Sequence, residues 1–144
     1  YTGSIGYSGS LGYTGSYGFT GSQGSITVKE PVATPTGLYP GIVFDCTTAR
    51  IFEVTPSSDF APVINNLNLG YPFATNIVIL IDQSTPAHIP TGITSIDGSP
   101  SIPILWQGGV TPTGNAAKKD FVALTIFQKA AGVYTVFGQL ITFG

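Results

Sequence analysis

Charge is the scarcest property of this 144-residue chain: 8% of residues are Asp, Glu, Lys or Arg, against roughly 25% in ordinary soluble domains. With net charge −2 and no basic cluster beyond Lys118–Lys119, the chain lacks the electrostatic footprint of a nucleic-acid binder. A monomer so poor in charge has too little polar surface to cover itself. Much apolar surface is therefore expected to meet other copies of the chain. No membrane insertion is expected, since the most apolar run, Ile77–Ile81, falls far short of the roughly 20 residues a span needs. Cys46 is the only cysteine, which excludes an intrachain disulfide and suggests a small buried thiol. Methionine is absent and the first residue lies inside a repeat, so the chain reads as part of a longer one.

Catalytic residue types are equally sparse. His88 is the only histidine and lies in "STPAHIPTG", away from any nucleophile motif. It reads as a loop residue. The acids Glu30, Asp45, Glu53, Asp59, Asp82, Asp97 and Asp120 show neither calcium-loop spacing nor the large cleft that paired carboxylates need to cleave glycans. No enzyme activity, cofactor or metal is expected. "SIDGS" at Asp97–Gly98 reads as a turn. Trp106 is the one candidate contact for a sugar or receptor, although its neighbours Ile102, Ile104 and Leu105 favour a place in the core.

The first 24 residues also lack proline, yet glycine stands at Gly3, Gly6, Gly9, Gly12, Gly15, Gly18, Gly21 and Gly24. Glycine at every third place is the signature of three extended chains wound around an axis that admits only hydrogen. Tyr1, Tyr7, Tyr13 and Phe19 add a second period of six, interleaved with Ile5, Leu11, Tyr17 and Gln23. In a triple helix these side chains point outward, where their packing replaces the pre-organisation that proline would supply. A flexible Gly/Ser linker needs no strict period. A glycine-rich bundle would keep the period of three, whereas a hexapeptide β-helix would share only the period of six and wants aliphatic residues in place of the glycines. The expected organisation is a collagen-like stalk over 1–24, a neck over 25–40 and a head over 41–144.

The head reads as all-β. Strand-like runs cover Gly41–Cys46, Arg50–Val54, Thr75–Asp82, Ile102–Trp106, Phe121–Gln128 and Val133–Phe143, with weaker candidates at Val63–Leu67 and Ile93–Ile96. They are rich in β-branched and aromatic residues, and Pro, Gly, Asn, Asp and Ser mark the gaps. The expected fold is an antiparallel, jelly-roll-like β-sandwich. Ile77, Ile79 and Ile81 would share one face and Val78 and Leu80 the other; Val122, Leu124 and Ile126 would oppose Phe121, Ala123 and Phe127. Apolar residues on both faces predict that the second face is covered as well, most simply by subunits of a homotrimer that holds the stalk in register.

From Asp45 onward the chain resembles a C-terminal domain of tailed-phage fibre and virion structural proteins, especially those of phages of aquatic bacteria. The resemblance rests on "DCTTARIFEV", "NNL", "IVILI", "PILWQGGVTPTGN", "KKDFVALTIF" and "VYTVFGQLITFG", and on the stalk units "GYTGS" and "GFTGS". Gln107 stands where that family often has a proline after the tryptophan. The resemblance implies an extracellular virion fibre, a homotrimer with a host cell-surface glycan or protein as the expected contact of its head. A bacterial cell-surface collagen-like filament or adhesin shares this design, and a polysaccharide-degrading spike is a remoter alternative.

Overall fold

The computed structural model describes Gly3 and residues 30–144. The remaining stalk glycines, from Gly6 to Gly24, lie outside the described residues, as does the first part of the expected neck. Ten strands build two sheets: β1 (Val32–Ala33), β2 (Val43–Asp45), β3 (Ile51–Val54), β4 (Val63–Asn65), β5 (Phe73–Asp82), β6 (Ile93–Ile96), β7 (Ser99–Ile102), β8 (Ile104–Trp106), β9 (Lys119–Ala130) and β10 (Val133–Phe143). The described residues form no helix. The larger sheet has the order β1-β3-β5-β9-β10-β8 and the smaller one β2-β4-β6-β7.

The sheets are mixed, which corrects the antiparallel expectation. Parallel pairing joins β1 to β3, β3 to β5, β2 to β4, β4 to β6 and β8 to β10. Antiparallel pairing joins β5 to β9, β9 to β10 and β6 to β7. The cause lies in the connections. From β1 to β6 the chain crosses to the opposite sheet after every strand, so each strand returns to its own sheet in the same direction as the one before. Only β6–β7 and β9–β10 turn straight back as hairpins. The first uses Asp97 (φ 45°) and Gly98 (φ 87°), the doubly left-handed pair that suits the twist of a two-residue hairpin. Val32–Ala33, within the stretch read as a neck, forms the edge of the larger sheet.

Alternation decides which side chains enter the core. Ile77, Ile79 and Ile81 of β5 and Val122, Leu124 and Ile126 of β9 are essentially inaccessible. They meet Phe44 and Ile64 from the smaller sheet. Phe44 and Phe52 stack across the two layers with ring centroids 4.4 Å apart and planes 7° from parallel. Burying each such ring stabilises the fold by about 1.5–3 kcal/mol.

The strand directions give the body two ends. Glu30 lies beside Arg50, Thr75 and Asn76, which marks a proximal end where the chain arrives from the repeat. β5 and β10 run away from it, so the connections 55–62, 83–92 and 107–118 and the last strand's end at Phe143 lie distally.

Candidate functional site

The most distinctive surface is the outer face of the larger sheet. Register places its side chains in rows across the strands. One row runs Val32, Ile51, Val78, Ala123 and Gln139; the next runs Glu53, Leu80, Phe121 and Ile141. A third holds Asn76, Thr125, Phe137 and Leu105. Phe121, Phe127, Phe137, Ile141, Phe143 and Leu105 are all exposed there. The rings support one another edge to face: Phe127 lies 5.7 Å from Phe137, and Phe121 lies 5.6 Å from Phe143. Single exposed apolar side chains are ordinary, but a contiguous patch marks a surface made for contact.

Besides the proximal hollow beside Glu30, two hollows indent this face. One, of about 460 Å³, lies between Leu105, Ala123, Phe137 and Gln139. The other, of about 400 Å³, lies distally between Glu53, Leu80, Phe121 and Phe143. Polar groups on the face are few and largely satisfied among themselves. Thr125 Oγ1 donates to Asn76 Oδ1 at 2.8 Å, and Lys119 Nζ lies 3.1 Å from Asp82 Oδ2 at the rim.

The outer face of the smaller sheet differs in kind. Thr94, Ser95, Pro100 and Ser101 stand there, and the hollow beside them is lined by Thr91, Thr94 and Ser101 as well as Ile93.

At the distal end a buried carboxylate ties the loops together. Asp120 is 1% exposed, and its Oδ2 accepts from Gln83 Nε2 and from Asn115 N, both at 2.8 Å. Gln83 Oε1 in turn accepts from His88 N at 2.8 Å. His88 Nδ1 lies 3.2 Å from Asp59 Oδ1. One carboxylate thus spans β9, the 83–92 loop and the 107–118 loop. Its Oδ1 is buried without a hydrogen-bond partner. Lys118 and Lys119, at the start of β9, are exposed beside the buried Asp120.

Two further carboxylates organise the proximal end. Asp97 Oδ1 accepts from Leu67 N at 3.1 Å and Oδ2 from Asn68 N at 3.0 Å. These bonds hold a turn in which Asn66 and Asn68 both take positive φ. Asp45 Oδ1 accepts from Asn66 Nδ2, Thr47 N and Thr47 Oγ1. The Asn66 amide, and then the two Thr47 donors, hold its carboxyl below the usual range. Cys46 is a buried free thiol; burial is the main cause that pushes its pKa up to about 11.

Trp106 lies in the core at 9% exposure, packed over Gly138, while Gln107 continues the edge by donating its N–H to Gly138 O at 2.9 Å. Gly3 is exposed and has no neighbour within 4 Å of a notional Cβ. Comparison with family models, curated proteins and solved structures finds no match for the chain.

Proposed function

We propose that the chain is the head and adjoining stalk of a homotrimeric virion fibre of the tailed-phage kind, with a structural and adhesive role. In this reading residues 1–24 wind as a proline-free collagen-like triple helix. The β body caps it, sets the register of the three chains and presents its distal end to a host surface glycan or protein. The observation that carries the reading is the contiguous apolar outer face of the larger sheet, in a chain whose first 24 residues carry glycine at every third place.

The tether supports it. Five residues separate Gly24 from Glu30, so each body sits within about 20 Å of the stalk's end. A body of this length is roughly 34 Å across. Three such bodies on one stalk are held at effective concentrations in the millimolar range, where even a weak contact between them forms. The two ends of the body add polarity: the repeat arrives at one and the loops tied by Asp120 occupy the other.

Mass photometry of the full chain tests the assembly, with three times the 14.9 kDa chain mass as the expected species; a monomer at micromolar concentration overturns it. Immunogold electron microscopy with antibody to the head tests the location. Gold at fibre tips of phage particles is expected. Gold on cell-surface filaments instead would favour the bacterial adhesin, which shares the repeat and the apolar face.

A further inference from the structure

We infer that the outer face of the larger sheet is the surface on which copies of this chain pack, with β9 nearest a three-fold axis that runs along the strands. This rests on the homotrimeric reading above and names the contact it requires.

The choice among surfaces follows from their chemistry. The outer face of the smaller sheet carries one half-buried aliphatic pair, Val43 and Val63, beside Asp45, Asn65, hydroxyls and Pro100, so most of its groups gain little from leaving water. The distal end is a set of polar loops. Only the larger sheet presents aromatic and aliphatic side chains in continuous rows. Its three long strands, with the short ones flanking them, give a footprint on the order of 700 Å² at strand spacing and rise. One partner in a stable interface gives about 800 Å².

The occupant is a second copy, for three reasons. First, the chain between Glu30 and the repeat starts at this face: Glu30 shares a hollow with Ile51, Asn76 and Val78, whose side chains belong to its rows. A stalk that ends at this point brings this face of each copy close to its axis. Second, the face suits contact with itself. Asp82 and Lys119 neutralise each other at the rim, and the charges left on β3 and β9, Glu53 and the proximal Lys129, differ in sign, so like-charge repulsion between copies is small. Third, each hollow has room for an aromatic side chain from a neighbour, and the face supplies such side chains in Phe121, Phe127 and Phe137. A closed ring of three satisfies every copy's hollow with another copy's knob. β5 and β9 are the middle strands of the sheet, and β9 carries Phe121, Ala123, Thr125 and Phe127 outward, which puts that strand closest to the axis.

The test uses the full chain. Gln139→Cys places a thiol on this face and Leu38→Cys places one on an 87% exposed loop position, while the native Cys46 is buried. Under reducing pretreatment, maleimide labelling of Gln139→Cys is expected to be at least ten-fold slower than that of Leu38→Cys. Mass photometry of Ala123→Asp, which sets three carboxylates around the axis, is expected to show monomers, while Ser57→Asp on a distal loop stays trimeric. Equal labelling rates, or a trimer that survives Ala123→Asp, overturn the assignment of the face and leave the trimeric reading standing if the parent is a trimer. A monomeric parent overturns both. Should Ala123→Asp lose its β-sheet circular dichroism, the labelling ratio decides alone.

Discussion

The indole of Trp106 lies directly over Gly138 on the neighbouring strand. The two residues face each other in the parallel β8–β10 pair. A Cβ on Gly138 would come 2.9 Å from two atoms of the indole ring and would collide with Ile104 Cγ2. The glycine is therefore a packing residue: it makes the floor on which the tryptophan rests. Gly138→Ala is expected to destabilise the head by about 1–3 kcal/mol, the usual cost of overpacking a core. Pairing it with Trp106→Phe should be less than additive, because the smaller ring vacates part of the contested space. Urea unfolding of the four variants measures the coupling, and strict additivity would contradict the packing role.

Asp120 leads to a prediction with two signs. Asp120→Ala leaves Gln83 Nε2 and Asn115 N without their acceptor, a loss of about 1–3 kcal/mol for each buried group so stranded. Asp120→Asn keeps an acceptor oxygen for both donors and removes a buried charge whose Oδ1 has no partner. It should be near neutral or stabilising. Gly114→Ala should resemble the alanine variant, because its Cβ would stand 2.6 Å from Gln83 Nε2 and 3.2 Å from Asp120 Oδ2. Proteolysis within residues 107–118 reports whether the loops have come loose.

How these features stood in the sequence differs from one to the next. The long apolar runs announce β5, β9 and β10, and the alternation within them correctly separates the core-facing isoleucines from Val78, Leu80, Phe121 and Phe127. The same alternation, carried one step back from Val122, places Asp120 inside; its charged neighbours Lys118 and Lys119 obscured it. β7 escaped because Pro100 argues against a strand, and an edge position is where a strand tolerates proline; β7 is the edge of its sheet. β1 is two residues long between Pro31 and Pro35, too short for any period. Pairing direction was not legible at all. Alternation tells which face a side chain takes and says nothing of which strand lies alongside, so connections that cross between layers look the same as hairpins.

Acid should loosen the proximal end. The folded state lowers the Asp45 pKa, so its contribution is fully present above the ordinary carboxylate value of about 3.9 and is lost as pH falls through the lowered folded value. Asp45→Asn should flatten the acid limb of the stability–pH curve. An unchanged limb would show that the Asn66 and Thr47 bonds do not favour the charged form.

Alkali should act through Cys46 with the opposite sense. Its folded pKa is raised to about 11, so above about 8.5 the unfolded chain releases a proton that the folded chain retains. Stability is complete below that value and declines as pH rises towards 11. Tyr39 and Tyr134, both raised chiefly by burial, add to the decline at higher pH. Cys46→Ala should remove the part that begins near the thiol's ordinary range. Denaturation midpoints at pH 8, 9 and 10 for parent and variant separate the contributions, and identical slopes would exclude the thiol.

The repeat gives the sharpest contrast between neighbouring positions. Gly12 stands mid-repeat, with three glycines of the series before it and four after. In a triple helix every third residue meets the axis, and the stagger of the chains fills each level with one chain's glycine. Gly12→Ala therefore inserts a methyl group at three adjacent levels, where no space exists, and the helix should open locally. Leu11→Ala removes only outward packing, and its effect should be milder. The absence of proline sharpens the difference, because fixing these backbones costs about 1–2 kcal/mol per residue with little pre-organisation to offset it. Limited proteolysis of full-length trimers should show cleavage near residue 12 rising strongly in Gly12→Ala and slightly in Leu11→Ala. A flexible linker packs nothing at either position, so equal cleavage in both variants and the parent would mean that the period of three does not encode a triple helix.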